Sequence, residues 1–274
     1  MSGTFSVGHD VLAYYGTNLE ADRLVRGVGA LEFERTKELI LRFLKPRSAI
    51  ADVGGAVGRY AEWLAASGHR VELVEPVSLH VELARERAGD PPRYGVHLGD
   101  ARSLSFADEA FDAVLLLGPL YHLGEERDRA QAVREAARVC RPEGLVFAAT
   151  ISRYAPLLDT IRRGRIRDEE VFANVESEAL TGRRVVSERR TSPFPDAYFH
   201  LPGELECELA SGGLDVQSVY GVEGPGWLFN DFDATWEDER AKERIHRAAR
   251  AAESDPHLIA VSAHLLAVAT KPGQ

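Results

Sequence analysis

The stretch Ile50-Ala51-Asp52-Val53-Gly54-Gly55-Ala56-Val57-Gly58-Arg59-Tyr60 constrains this chain more than any other. An apolar run ends in an acid, passes through a glycine cluster and opens into a helical pattern. That order brings a ligand from the end of a strand to the N-terminus of a helix. Gly54 and Gly55 can take positive φ and let a ligand lie against the backbone. The first turn of the following helix has N–H groups without intrahelical partners. A glycine-rich turn alone does not choose between cofactors, so the choice rests on what surrounds it.

The strand–helix unit repeats. Spacing and composition predict strands at 48–53, 70–75, 93–98, 111–117 and 145–150, and helices at 57–67, 78–88 and 126–140. The run 111–117 is almost uninterruptedly apolar, as in strands buried on both faces of a parallel sheet. Short connections between alternating elements imply right-handed βαβ units. In such sheets ligands sit beyond the carboxyl ends of the strands. Asp52 to Gly54, Glu75, Asp100 and Gly118 all fall at those ends. Upstream, 5–44 reads as helices, stopped by Pro46. After residue 150 the alternation breaks. The segment 151–200 holds two or three helical pieces and the pair Pro193/Pro195. A helix at 202–210, a strand at 214–222, a rigid turn at 224–227, a charged helix at 237–253 and a last strand at 265–270 follow. The expected fold is α/β: a Rossmann-like, doubly wound, seven-stranded, mostly parallel sheet with N-terminal helices and an inserted helical cap. The expected divisions are 1–45 (N-terminal helical cap), 46–150 (ligand-binding core), 151–201 (inserted cap) and 202–274 (remainder of the core sheet).

Composition excludes several classes. The 274 residues, 45% hydrophobic, are enough to bury a substantial core. A formal net charge of −10 opposes an extended nucleic-acid surface. Arg162, Arg163, Arg165 and Arg167 form a local exception. They read first as a solvated face, with a phosphate or acidic-substrate site as the alternative. The longest apolar runs, such as 113–117, are too short to span a bilayer. The first residues lack a basic region followed by an apolar core, so no signal peptide is expected. Cys140 and Cys207 have neither metal nor redox spacing, which points to a reducing cytoplasm.

With these strand ends in place, the sequence resembles the class I S-adenosylmethionine-dependent methyltransferases, particularly their small-molecule branch. The likeness covers about 48–150 well, and 10–44 and 196–230 less specifically. It implies that Asp52 acts near the methionine ammonium and that Gly54, Gly55 and Gly58 form the turn along which the methionyl group lies. Glu75, followed by Pro76, would take both ribose hydroxyls, since a carboxylate offers two acceptor oxygens. An acid roughly 20 residues past the turn suits a ribose. Asp100 would accept from the adenine amino group while the Ala101 N–H donates to a ring nitrogen and Leu79 packs on the base. The backbone at Leu117 and Gly118 would face the methionine amine, and Tyr15 would close over the cofactor or substrate. The family pattern acid-x-Gly-x-Gly-x-Gly asks for glycine at position 56, where this chain has Ala56. NAD is the rival ligand, but glycines at 54, 55 and 58 do not give its G-x-G-x-x-G order, and Asp52 would repel a pyrophosphate.

Three residues are candidates for chemistry on an acceptor. His122 follows the fourth strand and is a plausible base near neutral pH. Tyr198 and His200 lie in Asp196-Ala197-Tyr198-Phe199-His200, at the end of the cap. The alternative readings are a loop-bonding histidine and a packed aromatic hinge. Trp227, Phe229 and Trp236 read as anchors for the last helix before they read as pocket lining. His80, His246, His257 and His264 show no ligand-like partners, and no metal site is expected. The expected reaction is in-line transfer of a methyl group from S-adenosylmethionine to a small acceptor, as in specialised metabolism, leaving S-adenosylhomocysteine. Cyclisation or elimination chemistry, or non-catalytic cofactor binding, are the alternatives. No nucleic-acid or membrane partner is expected, and the chain would be a monomer or homodimer.

Overall fold

A computed structural model describes residues 23–185, 194–229 and 231–273. Seven strands form one sheet: β1 (Ala49–Val53), β2 (Arg70–Glu75), β3 (Gly95–Leu98), β4 (Phe111–Leu116), β5 (Cys140–Ile151), β8 (Asp215–Gly221) and β9 (His264–Thr270), in the order β3-β2-β1-β4-β5-β9-β8. The first five run parallel, and β9 pairs antiparallel with both β5 and β8. This is the expected mostly parallel, Rossmann-like sheet. The strand order reverses between β1 and β4, which opens a crevice at their carboxyl ends.

Alternate residues of the central strands enter two apolar clusters, as a period of two requires. Val114, Leu116, Val146 and Ala148 face one, with Ala132, Val133 and Ala136 of helix α5 (Glu126–Val139). Ala113, Leu115 and Phe147 face the other, with Ile50, Leu73 and residues of helices α1 (Gly27–Leu41), α2 (Arg59–Ala66) and α3 (Ser78–Ala88). Helices therefore cover both faces, which is why β1 and β4 read as nearly continuous apolar runs.

Several elements differ from what the sequence pattern predicts. β5 starts at Cys140, ahead of the expected 145, because Cys140 pairs with Phe111 before the register shifts to Ala113↔Leu145. β3 is shorter than expected and begins at Gly95. A short helix, α4 (Pro119–His122), turns the chain at the end of β4, with proline in its first turn. The segment after β5 contains α6 (Ala155–Arg162), a 3₁₀ turn at Arg165–Arg167 and α7 (Glu169–Thr181). It also contains a small antiparallel pair, β6 (Arg183–Arg184) and β7 (Ala197–Tyr198), which periodicity cannot show over so few residues. Helix α8 (Pro202–Ser211) leads into β8. Helices α9 (Phe232–Glu237) and α10 (Glu239–Ala252) pack against α1 through Leu31, Phe232 and Ile245. Arg35 of α1, fully buried, donates to the Val222 carbonyl and pairs with Glu253, so α1 is fixed to the far end of the sheet.

Phe147 is fully buried in β5. Phe147→Ala should cost roughly 3–5 kcal/mol. The thermal midpoint followed by circular dichroism should drop by about 10 °C; a shift of only a degree or two would show that the sheet centre is not the core.

Candidate functional site

A cavity of about 390 Å³ lies at the carboxyl ends of β1 to β4. Its floor is the turn after β1. The Gly54 N–H donates to the Val74 carbonyl at 2.7 Å, so the turn is bonded to β2. Gly54 and Gly58 have φ of 73° and 81°. A Cβ on Gly54 would come within 2.7 Å of the Pro119 ring, and one on Gly58 within 2.6 Å of the Tyr94 hydroxyl. Ala56, at the position where the family pattern asks for glycine, takes a left-handed φ of 47°. For a residue with a Cβ this costs about 1–2 kcal/mol. The Ala56 N–H donates to Glu75 Oε2 at 3.0 Å.

Glu75 ends β2 and is buried. Its Oε1 accepts from the Val77 N–H at 3.1 Å and lies 3.4 Å from His80 Nδ1. Each oxygen is thus held by one backbone N–H and retains acceptor capacity. His80, which shows no ligand-like partner in the sequence, stands beside Glu75 and lines the cavity. Asp52 ends β1 at 1% exposure. Its Oδ2 has no hydrogen-bond partner among the described residues. Burial, and then the nearby Glu75 charge, push its carboxyl up to about 7. Asp100 follows β3 and is gripped by Arg102, whose other arm reaches Asp128.

Pro76, Ala101, Leu117 and Gly118 also line the cavity. Leu79 is half-buried and does not; Val77 and His80 line the cavity there. Tyr15 lies outside the described residues. His122 lines the cavity, its ring 4.4 Å from that of Tyr121 and 5.6 Å from that of Phe194.

The other two candidates for acceptor chemistry stand elsewhere. His200 is fully buried, with Nδ1 2.6 Å from Thr150 Oγ1 and Nε2 3.0 Å from Glu208 Oε2. The Tyr198 ring lies 3.9 Å from the Arg129 guanidinium. Neither lines the cavity. The cause is backbone pairing: the His200 N–H donates to the Ile151 carbonyl, which turns its ring toward the sheet. Asp196, four residues earlier, does reach the cavity. Trp227 is buried and donates to the Val261 carbonyl, and Phe229, Phe232 and Trp236 stack on one another. Arg162 and Arg163 both pair with Asp159, while Arg165 and Arg167 are exposed.

One group beside the cavity leaves no local signal in the sequence. Arg23 grips Glu32 of α1 with both nitrogens, at 2.5 and 3.1 Å. Glu32 lies 3.8 Å from His264 Nδ1, which is 2.6 Å from Glu223 Oε1. His264, expected to be a core histidine without ligand-like partners, joins two buried carboxylates. Glu32, Glu223 and His264 bring possible metal-ligand atoms within 4.8 Å of one another. Arg23 and His264 already balance both negative charges. Burial opposes the His264 charge, but Glu32 and Glu223 outweigh it and hold the imidazole up at about 9. The contacts join residues far apart in the chain, so no periodicity reveals them.

The strand ends and turns around the cavity fall within a domain that matches known proteins. Residues 51–148 match the family described as "Methyltransferase domain". The chain is 36% identical over 176 residues to a ubiquinone biosynthesis O-methyltransferase of Methylobacterium sp., covering 63% of this chain and 62% of that one. It is 34% identical over 102 residues to a probable tRNA methyltransferase 9B of Homo sapiens, covering 36% and 20%. It thus spans less than two thirds of either relative. A solved SAM-dependent methyltransferase from Methanosarcina mazei shares the fold at a TM-score of 0.60 and 18% identity, over 86% of this chain and 98% of that one.

The His264 arrangement has a consequence for stability. Its folded-state value of about 9 lies above the ordinary 6.5, so its contribution is full below pH 6.5 and lost as pH rises through 9. The thermal midpoint should fall over that window, and His264→Gln should flatten the fall. Equal slopes in both proteins would remove His264 as the cause.

Proposed function

We propose a methyl transfer, on the premise that this chain belongs to the class I S-adenosylmethionine-dependent methyltransferases through its domain at residues 51–148. The acceptor in this reading is a small molecule, and the second product is S-adenosylhomocysteine. The observation that carries the reading is the Asp52 carboxylate, almost wholly buried at the cavity with one oxygen left without a partner among the described residues. A buried acceptor of that kind calls for a donor from the ligand, ideally a cationic one. The methionyl ammonium supplies it.

The remaining residues fit the rest of such a ligand. Gly54, Gly55 and Ala56 provide a turn against which an extended chain can lie, with Leu117 and Gly118 opposite, while Gly58, packed on Tyr94, does not line the cavity. Glu75, with acceptor capacity left on each oxygen, takes the two ribose hydroxyls. Val77 and His80, beside Pro76, flank the sugar and base. Asp100 accepts the adenine amino group and the Ala101 N–H faces the ring. When bound, S-adenosylmethionine supplies an electrophilic methyl group and a neutral thioether leaving group. The protein's part is to hold the acceptor in line and to exclude water. His122, with Tyr121 and Phe194 beside it, is the lining group suited to accept a proton where the acceptor has one to lose.

A small acceptor is supported by the likeness to an enzyme of ubiquinone biosynthesis. The net charge of −10 disfavours a polyanion, and the tRNA-directed relative matches over only 102 residues. No helix among the described residues is long and apolar enough to cross a membrane.

Two measurements test the cofactor assignment. Glu75→Ala strands two hydroxyls and should weaken S-adenosylhomocysteine binding at least tenfold by calorimetry; unchanged affinity would refute the ribose role. Asp52 must be ionised to receive an ammonium, and in the free protein it titrates at about 7. Affinity should therefore fall as pH drops below 7, by up to about tenfold per unit, and binding near pH 6 should release a proton. Asp52→Asn should abolish both effects. Turnover is read as S-adenosylhomocysteine formed together with a methylated product from a panel of phenols, hydroxyquinones and amines.

A further inference from the structure

Asp100 is bonded more fully than a ligand-binding carboxylate requires. Its Oδ1 accepts from the backbone N–H of Arg102 at 2.8 Å and from Nε at 2.9 Å. Its Oδ2 accepts from Nη2 at 2.7 Å. A carboxylate offers about four acceptor positions, so one residue fills three of them. The guanidinium is a rigid planar fork, and a bidentate grip fixes the plane of its partner. The fork is itself anchored: Arg102 Nη1 donates to Asp128 Oδ2 of α5 at 2.8 Å, and Gln131 Nε2 donates to the Arg102 carbonyl at 3.2 Å. Arg102 is 6% exposed, and Asp100, Arg102 and Asp128 all line the cavity.

We infer that Arg102 is a specificity-determining positioning residue: it leaves Asp100 with a single fixed acceptor position, so that the cavity takes a 6-aminopurine and rejects a 6-oxopurine. The inference rests on the reading that this cavity binds S-adenosylmethionine with its base toward Asp100. A 6-amino group offers the N–H that the open lone pair of Oδ2 needs. A 6-oxo group offers only lone pairs, and two acceptors face each other with neither satisfied. An unrestrained aspartate escapes this conflict by turning to accept the N1–H that a 6-oxopurine carries. The Arg102 fork, held from α5, denies it that rotation. The same restraint disfavours guanine and hypoxanthine nucleosides, which share the ribose that Glu75 recognises.

The test compares the affinity of the full chain for S-adenosylhomocysteine and for its 6-oxo analogue, S-inosylhomocysteine, by calorimetry. Wild type should prefer the amino form at least tenfold. Arg102→Met should lower that preference at least fivefold, chiefly by improving relative binding of the 6-oxo ligand. Asp128→Asn keeps the fork but loosens its outer anchor, and should give an intermediate preference. Equal weakening of both ligands in Arg102→Met, with the ratio unchanged, would reduce Arg102 to a structural bridge and overturn the inference. Should that variant not fold, an unchanged ratio in Asp128→Asn overturns it instead. Wild-type binding of S-adenosylhomocysteine without preference defeats the inference alone, whereas binding of neither ligand defeats the cofactor reading beneath it.

Discussion

The turn after β1 meets the end of β2 through two hydrogen bonds, Gly54 N–H to the Val74 carbonyl and Ala56 N–H to the Glu75 carboxylate. The first extends the parallel pairing of the two strands by one step. The second goes beyond sheet geometry and is made at Ala56, which lies in the left-handed region. A residue with a Cβ stays in that region only where its surroundings over-determine it. Here they do, because the Glu75 carboxylate is buried and requires donors from the backbone. This contact ties the Glu75 carboxylate to the glycine turn that leads into α2. It also explains how the loop tolerates alanine where the family pattern has glycine: the methyl group adds strain but does not remove the N–H.

Asp52, Glu75, Asp100 and Glu32 converge on the cavity, and the fold treats each differently. Glu75 is met by the Ala56 and Val77 backbone N–H groups, Asp100 by the Arg102 fork, and Glu32 by Arg23 and His264. Of these, only Asp52 keeps a buried oxygen with no partner among the described residues. A buried carboxylate with one oxygen left unbonded is costly to ionise, and its raised pKa, which a backbone hydrogen bond from Ala61 only partly offsets, is the physical trace of that cost. The other three are fixed before any ligand arrives, which is what preorganised recognition requires. In the proposed function the fourth would be completed by the ligand. On that reading the difference separates the groups that shape the cavity from the one that would couple ligand binding to protonation.

The core is legible in the sequence because its signals are local. Alternating apolar runs, an acid or glycine at each strand end and short connections identify a doubly wound sheet from neighbouring residues alone. Asp52, Gly54, Glu75, Asp100 and Gly118 can be placed at one cavity because parallel strands bring their carboxyl ends to one edge. What stays hidden depends on contacts between distant segments. His264 meets Glu32 across most of the chain, and β6 and β7 are two residues each. At the start of α3 the sequence favours Leu79 over Val77 and His80, but helical phase decides which side chain faces inward, and a shift of one residue changes the answer. His200 and Tyr198 carry residue types suited to catalysis, yet composition says nothing about the pairing of 200 with 151 that turns the ring away.

That pairing also limits where an acceptor can be handled. Behind β7, Arg129 holds Glu208 and two carbonyls, His200 bridges Glu208 and Thr150, and Arg153 holds Glu204 and the Phe199 carbonyl. Removing one member of such a buried network leaves its partner charged and unpaired, so substitutions there act through stability. Loss of activity on changing His200 would not identify it as a base. The wall of the cavity beside β7 is lined by His122, Tyr121 and Asp196, where α4 closes the end of β4. It combines the tilted pair of Tyr121 and His122 rings with the Asp196 carboxylate. In a methyl transfer of the kind proposed, a shaped wall that holds the acceptor in line counts for more than a strong base. On that reading selection among acceptors falls to the shape and polarity of this wall, while the acids at the ends of β1, β2 and β3 would hold the donor.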